Sequence, residues 1–80
     1  MDNVEHPSHY CKGEIECIEA IRASMTLEAF AGYCKGNIMK YIFRYEDKGR
    51  GEDLRKAAVY LQWLIQTEDQ RAFRDKQVEY

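Results

Sequence analysis

Apolar residues recur at three- and four-residue steps in three segments of the chain, which is the spacing of one face of an α-helix. The first segment runs from Glu14 to about Ser24. The second follows Thr26, a good N-cap residue, and ends at the turn Lys48-Gly49-Arg50-Gly51; the third starts near Glu52 or Asp53. No stretch alternates apolar and polar residues over the length of a strand. The pattern therefore predicts an all-α fold.

The ends of these three segments predict how the chain is organised. We expect an extended N-terminal loop over residues 1–13, a small three-helix domain over residues 14–67, and a charged C-terminal part over residues 68–80. The last part is predicted to be either an exposed helical extension or a frayed tail, because it is mostly charged and its Phe73 is isolated.

Each long helix carries one main apolar stripe that we expect to form the core. On the second helix the stripe comprises Leu27, Phe30, Ala31, Cys34, Ile38, Tyr41, Ile42 and Tyr45, and on the third it comprises Leu54, Ala57, Ala58, Leu61, Leu64 and Ile65. Further small or apolar residues fall outside these stripes: Gly32, Gly36, Met39, Phe43, Val59 and Trp63. A patch with Trp63, Phe43 and Met39 would favour association, so we predict a homo-oligomer. Alternatively, the first helix and the N-terminal loop cover this second face.

Composition narrows the functional classes. The 80 residues carry 12 Lys+Arg and 14 Asp+Glu, a net charge of −2, and 45% of them are hydrophobic. This near balance makes nucleic acid an unlikely partner, since nonspecific binding depends on uncompensated cations. No apolar run is long enough to span a membrane and the N-terminus has no signal segment, so we expect a cytoplasmic protein. Three cysteines do not make a closed disulfide framework.

A polar seam follows one side of the second helix. Its members occur at three- and four-residue steps: Tyr33, Asn37, Lys40, Arg44 and Lys48. Residues 34–56 hold seven Lys+Arg against four Asp+Glu, so positive charge is concentrated there. A guanidinium and lysine ammonium groups are suited to phosphate oxygens, and Asn37 could read a base or ribose edge. The seam predicts a site for a phosphorylated small molecule.

These residues could also have a purely structural role. The cations could form ordinary ion pairs with carboxylates; Arg44 paired inward with Asp53 or Glu19 would be structural. On the third helix, Lys56 and Tyr60 lie one turn apart and could join the site. Tyr60 or Tyr41 could stack on a base, although tyrosines at helical spacing are more often part of the core.

The leading segment His6-Pro7-Ser8-His9-Tyr10 is the second candidate for chemistry. Its histidines could bind a ligand, transfer protons or ligate a metal, or the segment could be an unimportant solvated loop. His6, His9, Cys11 and Cys17 do not have a zinc-finger spacing, so we assign no metal site. Glu16 and Glu19 could bind Mg²⁺, but a single pair is weak support. The P-loop motif is absent from the sequence, so any phosphoryl transfer must proceed without one.

Four motifs together resemble one family. They are His6-Pro-x-His9-Tyr10, Ile15-Glu16-Cys17-Ile18-Glu19, Gly36-Asn37-x-x-Lys40-Tyr41-x-x-Arg44-Tyr45-x-x-Lys48, and Asp53-Leu54-x-Lys56-Ala57-x-x-Tyr60-Leu61. Over about residues 5–65 the chain resembles the phage-encoded family filed as domain of unknown function 3310. The resemblance implies a phage origin and hence the cytoplasm of an infected bacterium. The family includes a longer phage nucleotide kinase that phosphorylates deoxynucleoside monophosphates without a P-loop.

The seam and the resemblance together give one set of expected nucleotide- or phosphate-binding residues: His6, His9, Tyr10, Asn37, Lys40, Tyr41, Arg44, Lys48, Lys56 and Tyr60. We expect a nucleotide ligand, with Mg²⁺ possible, and assign no catalytic base. The chain would then bind a nucleotide and, if it is an enzyme, transfer phosphate. Two other functions are open: sequestering a nucleotide signal used in host defence, and inhibiting a host factor as a protein–protein adaptor.

Overall fold

Three helices make up the part of the chain that the computed structural model describes, which is the backbone of residues 12–77 and the side chains of residues 17–76. They are α1 (Lys12–Ala23), α2 (Leu27–Arg44) and α3 (Arg50–Gln77). Within residues 12–77 there is no strand, which confirms the all-α prediction. The segment with His6, His9 and Tyr10 lies outside the described residues.

Local hydrogen bonds set the boundary between α1 and α2. The hydroxyl of Ser24 donates to the carbonyl of Ile21 (2.7 Å) at the end of α1. Thr26 has extended backbone angles, and its hydroxyl accepts a hydrogen bond from the amide of Ala29 (3.0 Å). Thr26 is therefore the N-cap of α2, as its position in the sequence predicts.

The turn between α2 and α3 is tight. Arg50 has a positive φ of 52° and its amide donates to the carbonyl of Tyr45 (2.7 Å). The amide of Gly49 donates to the carboxylate of Asp53 (3.0 Å), and a Cβ added at Gly49 would collide with that carboxylate. Only glycine leaves room for Asp53 to approach the backbone so closely. The amides of Glu52 and Asp53 donate to the carbonyl of Gly49, and α3 begins at Arg50, slightly earlier than the sequence pattern predicts.

Helices α2 and α3 form an antiparallel hairpin with the core between them. Phe30, Cys34 and Tyr41 of α2 are buried against Ala57 and Tyr60 of α3. Partly buried residues pack around this core: Ile21, Met25, Tyr33, Ile38, Trp63 and Leu64. Helix α1 therefore contributes Ile21 from its C-terminal end, and the connection to α2 contributes Met25. None of the described helices has the length and apolar character needed to span a membrane.

The predicted core stripe of α3 is right at two of its six residues and wrong at four. Ala57 is buried and Leu64 partly buried, but Leu54, Ala58, Leu61 and Ile65 are exposed. The face that meets α2 instead contains Asp53, Tyr60 and Thr67. These polar groups are satisfied internally: the Thr67 hydroxyl donates to the carbonyl of Trp63 (2.8 Å), and Asp53 is bound by Arg44 and Gly49. A pattern of apolar residues alone could not identify a face built around them.

The predicted second face is right on α2 and wrong on α3. Gly32, Gly36, Met39 and Phe43 are exposed, Phe43 by 90%. Val59 is buried, however, and Trp63 is partly buried with its ring edge-on to Tyr60 (5.2 Å between centroids). Trp63 therefore packs against the core and is not fully exposed as predicted.

Candidate phosphate-binding site

Three cations gather around the ring of Tyr41, close to the turn of the hairpin. The ammonium of Lys40 lies 4.6 Å from the ring centroid, the guanidinium carbon of Arg44 lies 4.9 Å from it, and the ammonium of Lys56 lies 5.6 Å from it. Lys40 and Arg44 flank Tyr41 on α2, whereas Lys56 reaches the ring from α3. The packing of the two helices thus brings together three of the cations that the sequence analysis selected.

Tyr41 itself is a fixed platform. Its side chain is only 8% exposed, and its ring is stacked on that of Tyr60 (6.0 Å between centroids). A cation near an aromatic face is attracted by the ring quadrupole, by about 0.5–1 kcal/mol at exposed sites. The ring therefore favours cations on its surface without neutralising them.

Asp53 supplies the carboxylate of this site. Its oxygens accept hydrogen bonds from Nε of Arg44 (3.1 Å) and from Nη2 of Arg44 (3.3 Å), in a two-pronged ion pair. Asp53 is 1% exposed, and its amide partner is Gly49. The hydrogen bond from Arg44 holds the pKa of Asp53 below its usual range and raises the pKa of Arg44. Arg44 is thus engaged by the protein, as the structural interpretation of this residue predicts.

The lysines of the site are not engaged in this way. Among the described residues, no carboxylate oxygen lies within 4.0 Å of the ammonium of Lys40, Lys48 or Lys56. Lys56 is close enough to Asp53 to contribute to its lowered pKa, although Arg44 is the main cause. Three cations around Tyr41 face one carboxylate, so the site keeps an excess of positive charge. We call Lys40, Tyr41, Arg44, Asp53 and Lys56 the Tyr41 cluster.

The other predicted ligand residues have different surroundings. The side-chain amide of Asn37 donates to the carbonyl of Tyr33 one turn earlier (2.9 Å), which leaves its own carbonyl oxygen to accept a hydrogen bond. Tyr60 is 5% exposed and packs in the core, so it cannot stack on a base without rearrangement. Lys48 is exposed in the turn after α2. The remaining predicted ligand residues, His6, His9 and Tyr10, lie outside the described residues.

Sequence reasoning undervalued Asp53. It named this residue as a possible helix start, as the first residue of a family motif and as a possible partner of Arg44, but not as a site residue, yet Asp53 binds both the turn and the guanidinium. A signal was present, because a glycine four residues before an aspartate allows the carboxylate to approach the backbone in the first helical turn.

Neither metal ligation nor thiol chemistry stands out near the cluster. Among the residues whose side chains are described, no three His, Cys, Asp or Glu groups converge as metal ligands would. Burial raises the pKa of the Cys34 thiol to about 11, so it is protonated at neutral pH and acts as a small apolar group. Cys17 is exposed.

The opposite end of the hairpin holds a second set of charged residues. Arg74 of α3 donates to the carboxylate of Glu28 near the start of α2 (2.6 Å), and Arg71 donates to Glu68 (2.7 Å). Arg74 also pairs with Asp75 (3.2 Å). We call Glu28, Arg71 and Arg74 the clasp, because they tie the two helices together far from the turn. Each arginine of the clasp has a carboxylate partner.

An open groove of about 330 Å³ lies beside the clasp, between α2 and α3. Its lining residues are Glu28, Ala31, Gly32, Lys35, Leu64, Glu68 and Arg71. None of these residues belongs to the predicted ligand set, so the groove is separate from the Tyr41 cluster.

Comparison with known proteins places most of the chain in one family. The family model described as a protein of unknown function (DUF3310) matches residues 4–62. The gene 1.7 protein of Enterobacteria phage T3 is 49% identical over 63 residues, which is 72% of this chain and 39% of the relative. The nucleotide kinase gp1.7 of Escherichia phage T7 is 46% identical over 65 residues, 75% of this chain and 33% of the relative.

The chain thus spans between a third and two fifths of the length of these two relatives. No solved structure matches it. Because the family model covers well over half of the sequence, the chain belongs to the phage DUF3310 family.

Proposed function

We propose that this chain binds a nucleotide through its phosphate, which sits between Lys40 and Lys56 on the surface of the Tyr41 cluster. The observation that carries the proposal is that these two lysines come from different helices, flank the same ring, and have no carboxylate partner among the described residues. The deoxynucleoside monophosphate that the family resemblance implies is the first ligand to test.

The charge of the cluster fits such a ligand. A phosphate monoester carries about −1.5 to −2 charges at neutral pH, which matches the excess positive charge around Tyr41. Arg44 is oriented by Asp53, and its Nη1 has no partner among the described residues, so it can add one hydrogen bond to a phosphate oxygen. The carbonyl oxygen of Asn37 lies one turn from Lys40 on α2 and can accept from a base or sugar donor.

Phosphoryl transfer is the reaction that the relative named as a nucleotide kinase suggests. In such a reaction, cations placed at the transferred group stabilise charge in the transition state. Lys40 and Lys56 are suited to that role, while no described residue is assigned as a base. Binding is therefore the core of the proposal, and transfer is tested separately. We infer that the protein acts in the cytoplasm of the infected bacterium, where nucleotides are available.

The binding test is calorimetric titration of the whole chain with each of the four deoxynucleoside monophosphates. Lys40→Gln and Lys56→Gln should each weaken binding about tenfold, since one lost charged contact is worth on the order of 1.4 kcal/mol. Lys35→Gln is the matched control: Lys35 is also an exposed lysine of α2 without a carboxylate partner, but it lines the groove. Equal loss in all three variants, or no binding by the wild type, would contradict the proposal.

The same samples distinguish transfer from sequestration. If the chain is a kinase, incubation with ATP, Mg²⁺ and a bound deoxynucleoside monophosphate yields ADP and the deoxynucleoside diphosphate, and chromatography detects the deoxynucleoside diphosphate. If the nucleotide is recovered unchanged after the protein is denatured, the chain sequesters its ligand. An effect on the host that persists in the Lys40→Gln, Lys56→Gln double variant would instead indicate an adaptor.

A further inference from the structure

The hairpin has an apolar face that nothing in the described residues covers. On α3, Leu54, Leu61 and Ile65 are 40%, 47% and 47% exposed; on α2, Met39 and Ile42 are 60% and 48% exposed. We call these five residues the open face. Their exposure is unusual because they are large side chains in a chain whose buried core is small.

Helical spacing places the open face on one side of the hairpin. Ile42 follows Lys35 by seven residues on α2, and Leu61 and Leu54 precede Glu68 by seven and fourteen residues on α3. Residues seven apart lie on nearly the same side of a helix. Since Lys35 and Glu68 both line the groove, the groove and the open face form one continuous surface.

The Tyr41 cluster lies on the other side. Arg44 of the cluster follows the groove residue Lys35 by nine residues, which is two and a half helical turns, so the two lie on opposite sides of α2. Lys40 and Lys56 contact the same Tyr41 ring as Arg44. An occupant of the open face would therefore leave the phosphate-binding cations accessible.

We propose that the open face docks against the same face of a second copy of this chain, so that two hairpins form a four-helix bundle. Along α3 the residues Leu54, Ala58, Leu61 and Ile65 follow one another at steps of four, three and four. This is the spacing of a seam that packs against another helix.

The size of the face supports a dimer. Five large side chains, each about half exposed, present on the order of 400 Å² of apolar surface. One side of a standard interface buries about 800 Å², of which somewhat more than half is apolar. The open face therefore supplies the apolar surface that one subunit of a stable dimer needs.

The charged residues at the groove end of this surface favour a second copy of the chain over a partner with a strong charge of one sign. The groove end of the surface carries Glu28 and Glu68 together with Lys35 and Arg71, so both signs are equally represented. In a two-fold dimer the same surface is used by both copies, and a balanced rim can be complementary to itself. Lys35 has no carboxylate within 4.0 Å among the described residues, and a carboxylate of the second copy can supply one.

The test is the mass of the whole chain in solution, measured by light scattering during size-exclusion chromatography. The chain has a mass of 9.5 kDa, so we expect about 19 kDa for the wild type. Leu61→Glu should give the monomer, because it places two carboxylates at the centre of the apolar contact. Phe73→Glu is the matched control: Phe73 is also an exposed apolar residue of α3, but it is not part of the open face.

Thermal unfolding followed by circular dichroism guards against a trivial loss of folding. A dimer melts at a higher temperature when its concentration rises, whereas a monomer does not. The wild type and Phe73→Glu should show this dependence, and Leu61→Glu should retain its helicity but lose the dependence. If the wild type is a monomer with a concentration-independent Tm, or if Leu61→Glu assembles like the wild type, the proposal is wrong.

Discussion

The two ends of the α2–α3 hairpin use the same kinds of charged residues for different purposes. At the turn, Arg44 pairs with Asp53, which is 1% exposed and also binds the amide of Gly49. At the opposite end, Arg74 pairs with Glu28, whose side chain is half exposed. Both contacts join α2 to α3, but only the first is inside the protein.

The two ends differ in whether they keep cations that have no carboxylate partner. Each arginine of the clasp has a carboxylate partner, so that end is close to neutral and serves to hold the helices together. At the turn, Asp53 engages Arg44, while Lys40 and Lys56 have no carboxylate partner within the described residues. The cation that looks best suited to phosphate is thus the structural one, and the two lysines are the groups available to a ligand.

Removing the charge of Asp53 should have the largest effect on folding. Asp53→Asn leaves Arg44 without its ion pair in a partly buried position and weakens the contact that closes the turn. We expect a marked drop in Tm, measured by circular dichroism. The matched control is Glu28→Gln, which removes one carboxylate from the exposed clasp and should lower the Tm only slightly. Similar drops in both variants would show that burial does not distinguish the two ends.

Removing the unpaired lysines should affect ligand affinity and leave folding nearly unchanged. The double variant Lys40→Gln, Lys56→Gln should weaken nucleotide binding about a hundredfold, since each lost charged contact is worth roughly tenfold. The control is Arg71→Gln, Arg74→Gln, which removes the same number of cations at the clasp. The affinity of this control should be close to that of the wild type; a comparable loss would mean that only total charge matters.

A methyl group should distinguish the closed turn from open helix surface. Gly49→Ala forces the Asp53 carboxylate to move and should lower the free energy of unfolding by about 1–3 kcal/mol. Gly36→Ala meets nothing within 4 Å and should raise it by about 0.5–1 kcal/mol, because alanine is the better helix former. Urea unfolding measures both. If Gly49→Ala is neutral, the close approach of Asp53 to the turn is not needed for folding.

Acid should weaken the clasp, with the smallest of these effects. The hydrogen bond from Arg74 lowers the pKa of Glu28 to about 2 from an ordinary value of 4.5. The contribution of this carboxylate is therefore complete above pH 4.5 and is lost as the pH falls towards 2. Glu28→Gln should unfold with a shallower dependence on pH in this window than the wild type. An identical dependence in both proteins would show that the exposed pair adds no stability.

The sequence predicted the class of fold more successfully than it predicted the core. Helical spacing and the Thr26 cap were sufficient for an all-α fold, because both are local properties of the chain. The core face of α3 was predicted only in part, because its buried side includes Asp53 and Thr67, whose burial depends on hydrogen bonds to Arg44, Gly49 and Trp63. Whether a buried polar group has such hydrogen-bond partners can be determined only from the three-dimensional structure.

The sequence indicated which residue types form the candidate site, but not which cations are paired with a carboxylate and which are available to a ligand. The seam identified Lys40 and Arg44 at one spacing, and the structure separates them by whether a carboxylate is within reach. Lys56 comes from another helix, and only the packing of α3 on α2 brings it to Tyr41. Sequence spacing along one helix carries no information about that distance.

The most direct test of the account is a titration of the isotope-labelled chain with a deoxynucleoside monophosphate, followed residue by residue through its amide NMR signals. We predict saturable shifts that are concentrated at Lys40, Tyr41, Arg44 and Lys56 and that fade as salt is added. The amide signals of the clasp residues Arg71 and Arg74 should not shift. Shifts centred on the clasp and groove, or an absence of saturable shifts, would contradict the claim that the Tyr41 cluster binds phosphate.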